Sequence, residues 1–144
     1  AAARCPEASL AIGSIISMPY ADAMFDLVTC ARVISHVHDL NTALSELVRV
    51  TAPGGALLLS SVDESHPYSL TRLPAGDRHV FADTVKHGRE VVAAMLLAAG
   101  MRISATALIC SDGSIMTCSG RFAAARPGVT AWALMAEKPP LAVS

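Results

Sequence analysis

The sequence has four cysteines but no C-x-x-C pair, so it lacks the pattern of zinc ribbons and thioredoxin-like redox sites. It has no apolar run of roughly 18 residues, the length of a membrane span, and no basic segment followed by an apolar one that would indicate a signal peptide. Aromatic residues make up only 4% and the net charge is −1, so neither a stacking platform nor a basic stripe for nucleic acid is present. These features favour a cytoplasmic protein with reduced thiols, and they disfavour membranes and nucleic acids as partners.

Apolar residues make up 53% of the sequence and charged residues 16%, which supplies enough apolar surface for the core of one domain over residues 1–144. Near-continuous apolar runs predict strands of a sheet that is covered on both faces, and apolar residues at helical spacing predict helices. The predicted strands cover 10–13, 25–30, 56–62, 103–109 and 130–136, and the predicted helices cover 41–50 and 89–99. This alternation is typical of an α/β sandwich.

Two stretches between these elements are rich in turn-forming residues. Residues 63–88 are polar and contain Pro and Gly, and we predict an irregular or partly helical excursion there that covers a substrate. Residues 111–128 contain D-G, S-G and P-G pairs and are predicted to form turns before a hairpin-like return. The sequence Pro53-Gly54-Gly55 predicts a tight entry from a helix into a strand.

Five segments, in this order, resemble parts of one known family. They are G-S-I-I-S-M-P-Y at 13–20, M-F-D-L-V-T-C at 24–30, A-R-V-I-S-H-V-H-D at 31–39, A-L-S-E-L-V-R-V-T-A-P-G-G-A-L-L-L-S at 43–60 and L-L-A-A-G-M-R-I at 96–103. Together they resemble the C-terminal part of a class I S-adenosylmethionine-dependent methyltransferase of the type 11 kind. The resemblance implies a Rossmann-like three-layer α/β/α sandwich, with a mostly parallel sheet, an antiparallel last strand, and no N-terminal strands in this chain.

The resemblance also implies a cofactor, S-adenosyl-L-methionine, and a small molecule as methyl acceptor. The residues that it assigns to the cofactor are Gly13, Ser14, Ile15, Cys30 and Ala31. It places His36 toward the active site as the catalytic residue, for which local packing is the alternative.

Contacts to the acceptor are predicted in the excursion at 63–88, which would lie above the carboxyl ends of the strands, where open α/β sheets bind ligands. The candidates are Asp63, His66, Tyr68, Arg72 and His79. The alternative for each is a solvated loop side chain. On the preceding helix, Glu46 and Arg49 can pair with each other or clamp the adjacent loop, or they form an exposed pair of little energetic worth.

The stretch S-H-V-H-D-L at 35–40 invites comparison with metal sites. Asp39 follows His38 directly, and no H-x-x-x-H pattern supplies further ligands, so no metal site is predicted. Instead, Asp39 is predicted to help start the next helix, and His38 to be exposed. A serine hydrolase is not supported either, because the sequence has no G-x-S-x-G.

Two departures from the family pattern bear on function. Ser14 stands where the family has an acid that accepts a hydrogen bond from the adenine amino group, and a hydroxyl accepts it more weakly than a carboxylate. The family's glycine-rich loop has no counterpart in the twelve residues before Gly13, so the predicted strand at 25–30 would lack one neighbour. We expect an incomplete copy of a longer protein; in the alternative, a second copy in a homodimer or a partner chain completes the sheet.

The function predicted from these residues is methyl transfer from S-adenosylmethionine to a small molecule. One alternative is a non-catalytic methyltransferase-like subunit that pairs with another chain. A second alternative is a cofactor-like pocket that serves other small-molecule chemistry.

Overall fold

Two α-helices separate three groups of strands along the chain. The computed structural model describes residues 7–67, 70–124 and 127–142. A short 3₁₀ helix, Ile34–His36, follows the first strand. The strands are β1 (Phe25–Ala31), β2 (Thr51–Val62), β3 (Leu70–Ala75), β4 (Arg78–Asp83), β5 (Arg102–Cys110), β6 (Ile115–Ser119) and β7 (Val129–Glu137), and the α-helices are α1 (Leu40–Val50) and α2 (Arg89–Ala98).

Five of these strands form one mixed sheet in the order β1-β2-β7-β5-β6. β1 and β2 pair in parallel, and β7 is antiparallel to both of its neighbours, so β1, β2 and β5 run in one direction. β6 returns antiparallel to β5, while β3 and β4 form a separate hairpin. The carboxyl ends of β1, β2 and β5 therefore lie at one edge of the sheet, the edge at which open α/β sheets bind ligands.

The core lies where α1 and α2 pack against the sheet and against each other. On β2, Leu57 and Leu59 are fully buried, whereas Leu58 between them is 39% exposed, which is the two-residue period of a strand with one face on the core. Trp132 of β7 is fully buried and packs edge-to-face on Phe122. The helices contribute Leu40, Leu44, Leu47, Val92 and Leu96 to this core.

Two glycines lie near the start of β2, where its register against β1 shifts between Phe25 and Leu27. Gly54 has a φ of +79°, which favours glycine, and its N–H donates to the backbone oxygen of Lys138 at 2.8 Å. An ideal Cβ on Gly55 would lie 2.8 Å from the backbone oxygen of Asp26 and 2.9 Å from that of Ala52. At Gly55 only glycine lets these backbone segments approach so closely. The prediction placed these glycines between a helix and a strand, whereas β2 begins at Thr51 directly after α1 and contains them.

The helix ends also follow the sequence. Asp39 is the N-cap of α1 and accepts the Thr42 N–H at 3.0 Å. Its hydrogen bonds from the Thr42 hydroxyl and N–H lower the pKa of Asp39. After α2, Gly100 has a φ of +81° and donates its N–H to the Leu97 oxygen at 3.0 Å, as a helix-ending glycine does. Within the described residues, no helix has both the length and the apolar character of a membrane span.

The predicted strand at 10–13 is wrong. These residues form no strand, and the side chains of Leu10 and Ile12 are 62% and 104% exposed. In the described part of the chain, no strand lies beside them to pair with their backbone groups. A short apolar segment does not form a strand unless it pairs with another strand.

The prediction of irregular structure for 63–88 is wrong, and that for 111–128 holds for the turn at Asp112-Gly113 but misses a strand. The stretch 63–88 holds the β3–β4 hairpin, whose turn uses Gly76 with a φ of +64°. Pro74 suggested a loop, but a two-stranded hairpin has free edges at which a missing N–H is tolerated. The stretch 111–128 contains β6, which follows the turn at Asp112-Gly113; an Asp-Gly pair between strand-forming residues is a hairpin signal.

Candidate functional site

Two adjoining cavities open beyond the carboxyl ends of β2 and β5. The first has a volume of about 520 Å³, and the second has a volume of about 630 Å³. His66, Ser111 and Thr130 line both cavities, so the cavities share a wall. Both volumes lie within the range of small-molecule sites, roughly 300–1,000 Å³.

The first cavity is built around a buried ion pair between Asp63, which follows β2, and Arg89, which begins α2. Arg89 Nη1 lies 2.5 Å from Asp63 Oδ2, and the two residues are 8% and 1% exposed. Burial opposes the ionisation of Asp63, but hydrogen bonds from the Ser65 hydroxyl and N–H and from Arg89 outweigh it and hold the pKa of Asp63 below its usual value. The carboxylate is therefore ionised and already engaged within the protein.

The second cavity carries positive charge at its wall. Arg32 follows β1 directly, and Arg72 lies on β3. Both line the cavity, and no Asp or Glu of the described residues lines it with them. Apart from His66, the remaining side chains of the wall are apolar or bear hydroxyl groups, and they include Val62, Leu70, Thr71, Thr84 and Cys110.

A smaller third cavity, of about 270 Å³, lies beside the segment that precedes β1. Three of the residues assigned to the cofactor line it: Gly13, Ser14 and Ile15. Val33 lines it as well, whereas Cys30 and Ala31 do not. Cys30 is buried in the hydrophobic core, and this burial raises the pKa of its thiol.

Glu46 and Arg49 of α1 hold the segment that forms the third cavity. Arg49 Nε donates to Glu46 Oε1 at 2.6 Å, and Glu46 Oε2 accepts the Met18 N–H at 2.8 Å. The Arg49 guanidinium also donates to the backbone oxygens of Tyr20, at 2.7 Å, and Met18, at 3.1 Å. A further bond of 2.8 Å runs from Arg49 to the carboxylate of Asp22. Two of the predicted arrangements are therefore observed together: Glu46 and Arg49 pair with each other, and they clamp the adjacent loop.

We expect Glu46→Gln to reduce the sensitivity of the fold to acid. The hydrogen bonds from Arg49 and from the Met18 N–H lower the pKa of Glu46 to about 2, whereas a free glutamate titrates at about 4.3. The unfolded chain therefore takes up this proton at a higher pH than the folded chain. Hence Glu46 stabilises the fold above about pH 4, and that stabilisation is lost as the pH falls toward 2. Urea unfolding between about pH 5 and pH 2 should show a shallower decline for the variant.

The matched control for losing one carboxylate is Glu90→Gln on the exposed side of α2. If Glu46→Gln lost stability with acid as steeply as the unaltered chain, the clamp would not be the source of the effect.

The two histidines of the S-H-V-H-D-L stretch at 35–40 line none of the three cavities. His36 is exposed, and its Nδ1 lies 3.2 Å from the backbone oxygen of Asp83. His36 lines none of these cavities, so its catalytic role stays a prediction. His38 is exposed, as predicted. Within residues 7–67, 70–124 and 127–142, no three His, Cys, Asp or Glu side chains are grouped as metal ligands.

The predicted acceptor residues divide between the cavities and the surface. His66 lines both large cavities and Arg72 lines the second. His79 is exposed on β4 and lines neither. Tyr68 lies outside the described residues. Their roles as acceptor contacts remain predictions.

Reasoning from the sequence missed two arginines, Arg32 and Arg89. Arg89 had a usable signal, because a cation at the first turn of a helix opposes the helix dipole and so indicates a specific anionic partner. The signal at Arg32 was weaker: it is a charged residue two positions after the predicted buried strand at 25–30, at the edge where ligands bind.

Comparisons with known proteins find methyltransferases similar to the first part of the chain. The family described as methyltransferase domain matches residues 1–59. The malonyl-[acyl-carrier protein] O-methyltransferase of Erwinia billingiae is 42% identical over 64 residues, which make up 43% of this chain and 26% of that protein. The matched part of the chain thus spans about a quarter of the length of this relative.

Solved structures resemble the chain over most of its length. A SAM-dependent methyltransferase from Methanosarcina mazei has a TM-score of 0.61 at 14% identity, covering 89% of this chain and 66% of that one. The [4+2]-cyclase SpnF has a TM-score of 0.63 at 18% identity, covering 90% of this chain and 56% of that one. At such identities the likeness shows the fold, and it confirms the predicted Rossmann-like α/β class with its antiparallel last strand.

Proposed function

We propose that this chain takes part in methyl transfer from S-adenosylmethionine to a small molecule. The proposal starts from the resemblance to class I S-adenosylmethionine-dependent methyltransferases, which the family match of residues 1–59 and the fold confirm. The observation that carries the proposal is the coincidence of two findings. The matched residues include the wall of the third cavity, and the two larger cavities open at the ligand-binding edge of the same sheet.

The third cavity fits one end of the proposed cofactor. S-adenosylmethionine supplies a methyl group on a sulfonium sulfur. The Ser14 hydroxyl can accept a hydrogen bond from the adenine amino group, and Ile15 and Val33 offer apolar contact to the ring. The volume, about 270 Å³, is below the usual range of whole-ligand sites, roughly 300–1,000 Å³. The adenine end is therefore the part that these residues would hold, and the Glu46–Arg49 clamp keeps them in place.

The acceptor is proposed to occupy the two larger cavities. Methyl transfer is an in-line displacement in which the protein mainly aligns donor and acceptor, and a base assists when the acceptor must lose a proton. His66 lines both cavities and is better placed for that role than His36, which lines neither. The cavity volumes support a small molecule as the acceptor.

A second candidate, a non-catalytic subunit, is favoured by the edge of β1. Among the described residues, β1 pairs with β2 alone, although Leu27 on it and Met24 beside it are apolar and 58% and 57% exposed. An apolar edge of this kind can pair with a strand of another chain. Such a subunit would complete a partner's sheet without binding the cofactor itself.

Calorimetry with S-adenosylhomocysteine tests the proposal on this chain. We expect saturable binding that Ser14→Ala weakens by about two- to tenfold, the worth of one neutral hydrogen bond. Ser14→Asp should strengthen binding, because a carboxylate accepts a charge-assisted bond.

Ser17→Ala, in the same segment but outside the cavity wall, is the control and should leave the affinity unchanged. An absence of binding at millimolar ligand would reject cofactor binding by this chain and favour the subunit. Equal effects of Ser14→Ala and Ser17→Ala would reject the assignment of the adenine end to the third cavity.

A further inference from the structure

We propose that the second cavity binds an oxyanion, the carboxylate or phosphate group of a small molecule, through Arg32 and Arg72. The inference rests on the proposed function in one respect, namely that this small molecule would be the methyl acceptor. It names the class of acceptor: one that carries a carboxylate or phosphate group.

The backbone of Arg32 is fixed while its guanidinium is free to bind. Its N–H donates to the Ser60 oxygen at 2.8 Å, and its own oxygen accepts the Ser35 hydroxyl at 2.9 Å. Its φ is +60°, a conformation that residues with a Cβ rarely adopt and that recurs at ligand sites. Within the described residues, its side chain has no hydrogen-bond or ion-pair partner. The strained backbone thus presents an unpaired cation at the carboxyl end of β1.

Arg72 reaches the same cavity from a different part of the chain. It lies on β3, across from Phe81 of β4, and its guanidinium likewise has no partner among the described residues. Arg32 and Arg72 are separated by 40 positions in sequence, yet both line this one cavity. Two unpaired guanidinium groups brought together by the fold create a positive potential that attracts an anion.

No acid lines the second cavity within the described residues, although Asp112 stands between Ser111 and Gly113, which do line it. The nearest acid along β2, Asp63, belongs to the wall of the first cavity and is neutralised by Arg89 at 2.5 Å. Glu64 also lines the first cavity but not the second. The positive charge of Arg32 and Arg72 is therefore available to a ligand.

The rest of the wall suits an organic anion better than a bare inorganic ion. Val62 and Leu70 give the cavity an apolar side, and its volume of about 630 Å³ exceeds the need of a single oxyanion. Guanidinium groups bind carboxylate and phosphate in a planar two-bond geometry. The arrangement therefore fits a molecule with an oxyanion at one end and an apolar body.

The test is an NMR titration of the ¹⁵N-labelled chain at low ionic strength, about 0.01 M. The probes are inorganic phosphate and malonate, added separately. We expect saturable shifts of the Gly113 and Thr130 amides, which line the cavity, and of the Arg32 Nε–H. Arg32→Gln and Arg72→Gln should each weaken binding by about tenfold, the worth of a charge-assisted hydrogen bond.

The matched control is Arg78→Gln, which removes the same charge from an exposed position on β4 outside the cavity. A response to phosphate alone assigns a phosphate-bearing ligand, a response to malonate alone assigns a carboxylate, and a response to both supports the shared site. Shifts that do not saturate, or an equal loss in Arg78→Gln, would overturn the proposal, because either result indicates general charge attraction.

Two separate measurements, anion binding and S-adenosylhomocysteine binding, distinguish failure of the oxyanion site from failure of the proposed function. Anion binding without S-adenosylhomocysteine binding would leave the oxyanion site standing and remove its role as an acceptor site for methyl transfer. Binding of S-adenosylhomocysteine without anion binding would sink the oxyanion site alone. Far-ultraviolet circular dichroism of each variant establishes that the substitution leaves the fold intact.

Discussion

Arg89→Met is expected to lower the free energy of unfolding by about 3–5 kcal/mol. Asp63 is 1% exposed, and removal of Arg89 leaves this carboxylate in the protein interior with Ser65 as its hydrogen-bond partner. An ion taken from water without a counter-charge is costly, and that cost is the source of the loss. Arg89 also lies 5.9 Å from the centroid of the Phe122 ring, a contact that Met only partly replaces.

Urea unfolding followed by circular dichroism measures this loss, and Arg102→Met is the matched control. Arg102 pairs with Glu137 at the surface, where the two side chains are 67% and 37% exposed. A pair of that kind contributes about 0–1 kcal/mol. If Arg89→Met cost no more than Arg102→Met, the buried pair would not stabilise the fold as argued.

A second variant separates the uncompensated charge from lost packing. Adding Asp63→Asn to Arg89→Met removes the stranded carboxylate and should restore part of the stability. Lowering the pH should act in the same direction. In the unaltered chain the pKa of Asp63 lies below its usual value, so its contribution is present above about pH 4 and is lost at lower pH. The difference in the free energy of unfolding between the unaltered chain and Arg89→Met should therefore shrink below about pH 4.

The local elements could be predicted wherever the signal lay within a few residues. Asp39 is followed by an apolar stripe and caps α1, and Gly100 ends α2. Strands that depend on a partner were harder. The run at 10–13 has strand-forming residues and forms none, because pairing is a property of two segments. β3 and β4 were missed for a related reason, since Pro74 disfavours a central strand but not a free hairpin edge.

The candidate site was predictable in its parts but not in its grouping. The family resemblance named Gly13, Ser14 and Ile15, and all three line one cavity. Nothing local relates Arg32 to Arg72, because they are 40 positions apart in the sequence and only the fold brings both to the wall of the second cavity. Asp63 was assigned to the acceptor from its position after β2, whereas the structure pairs it with Arg89, a partner that only the packing of α2 supplies.

Trp132→Ala should lower the free energy of unfolding by about 3–5 kcal/mol, as much as Arg89→Met. Trp132 is fully buried on β7, the strand between β2 and β5, so a truncated side chain there leaves a cavity that the neighbouring strands cannot close. Its ring lies 5.8 Å from that of Phe122 at 78°, an edge-to-face contact worth about 0.5–1.5 kcal/mol beyond burial. Since Phe122 in turn contacts Arg89, the substitution also loosens one wall of the ion pair.

Trp132→Phe shows which property of the residue stabilises the fold. The indole Nε1–H is buried with no hydrogen-bond partner in the described structure, and a buried unpaired donor costs about 1–3 kcal/mol. Phenylalanine removes that donor and keeps an aromatic ring against Phe122, so it should lose well under half of what alanine loses. Because Trp132 is the only tryptophan, unfolding is followed by circular dichroism for all three chains. A loss in Trp132→Phe equal to that in Trp132→Ala would contradict this account, because it would mean that a phenyl ring at this position recovers none of the packing of the indole.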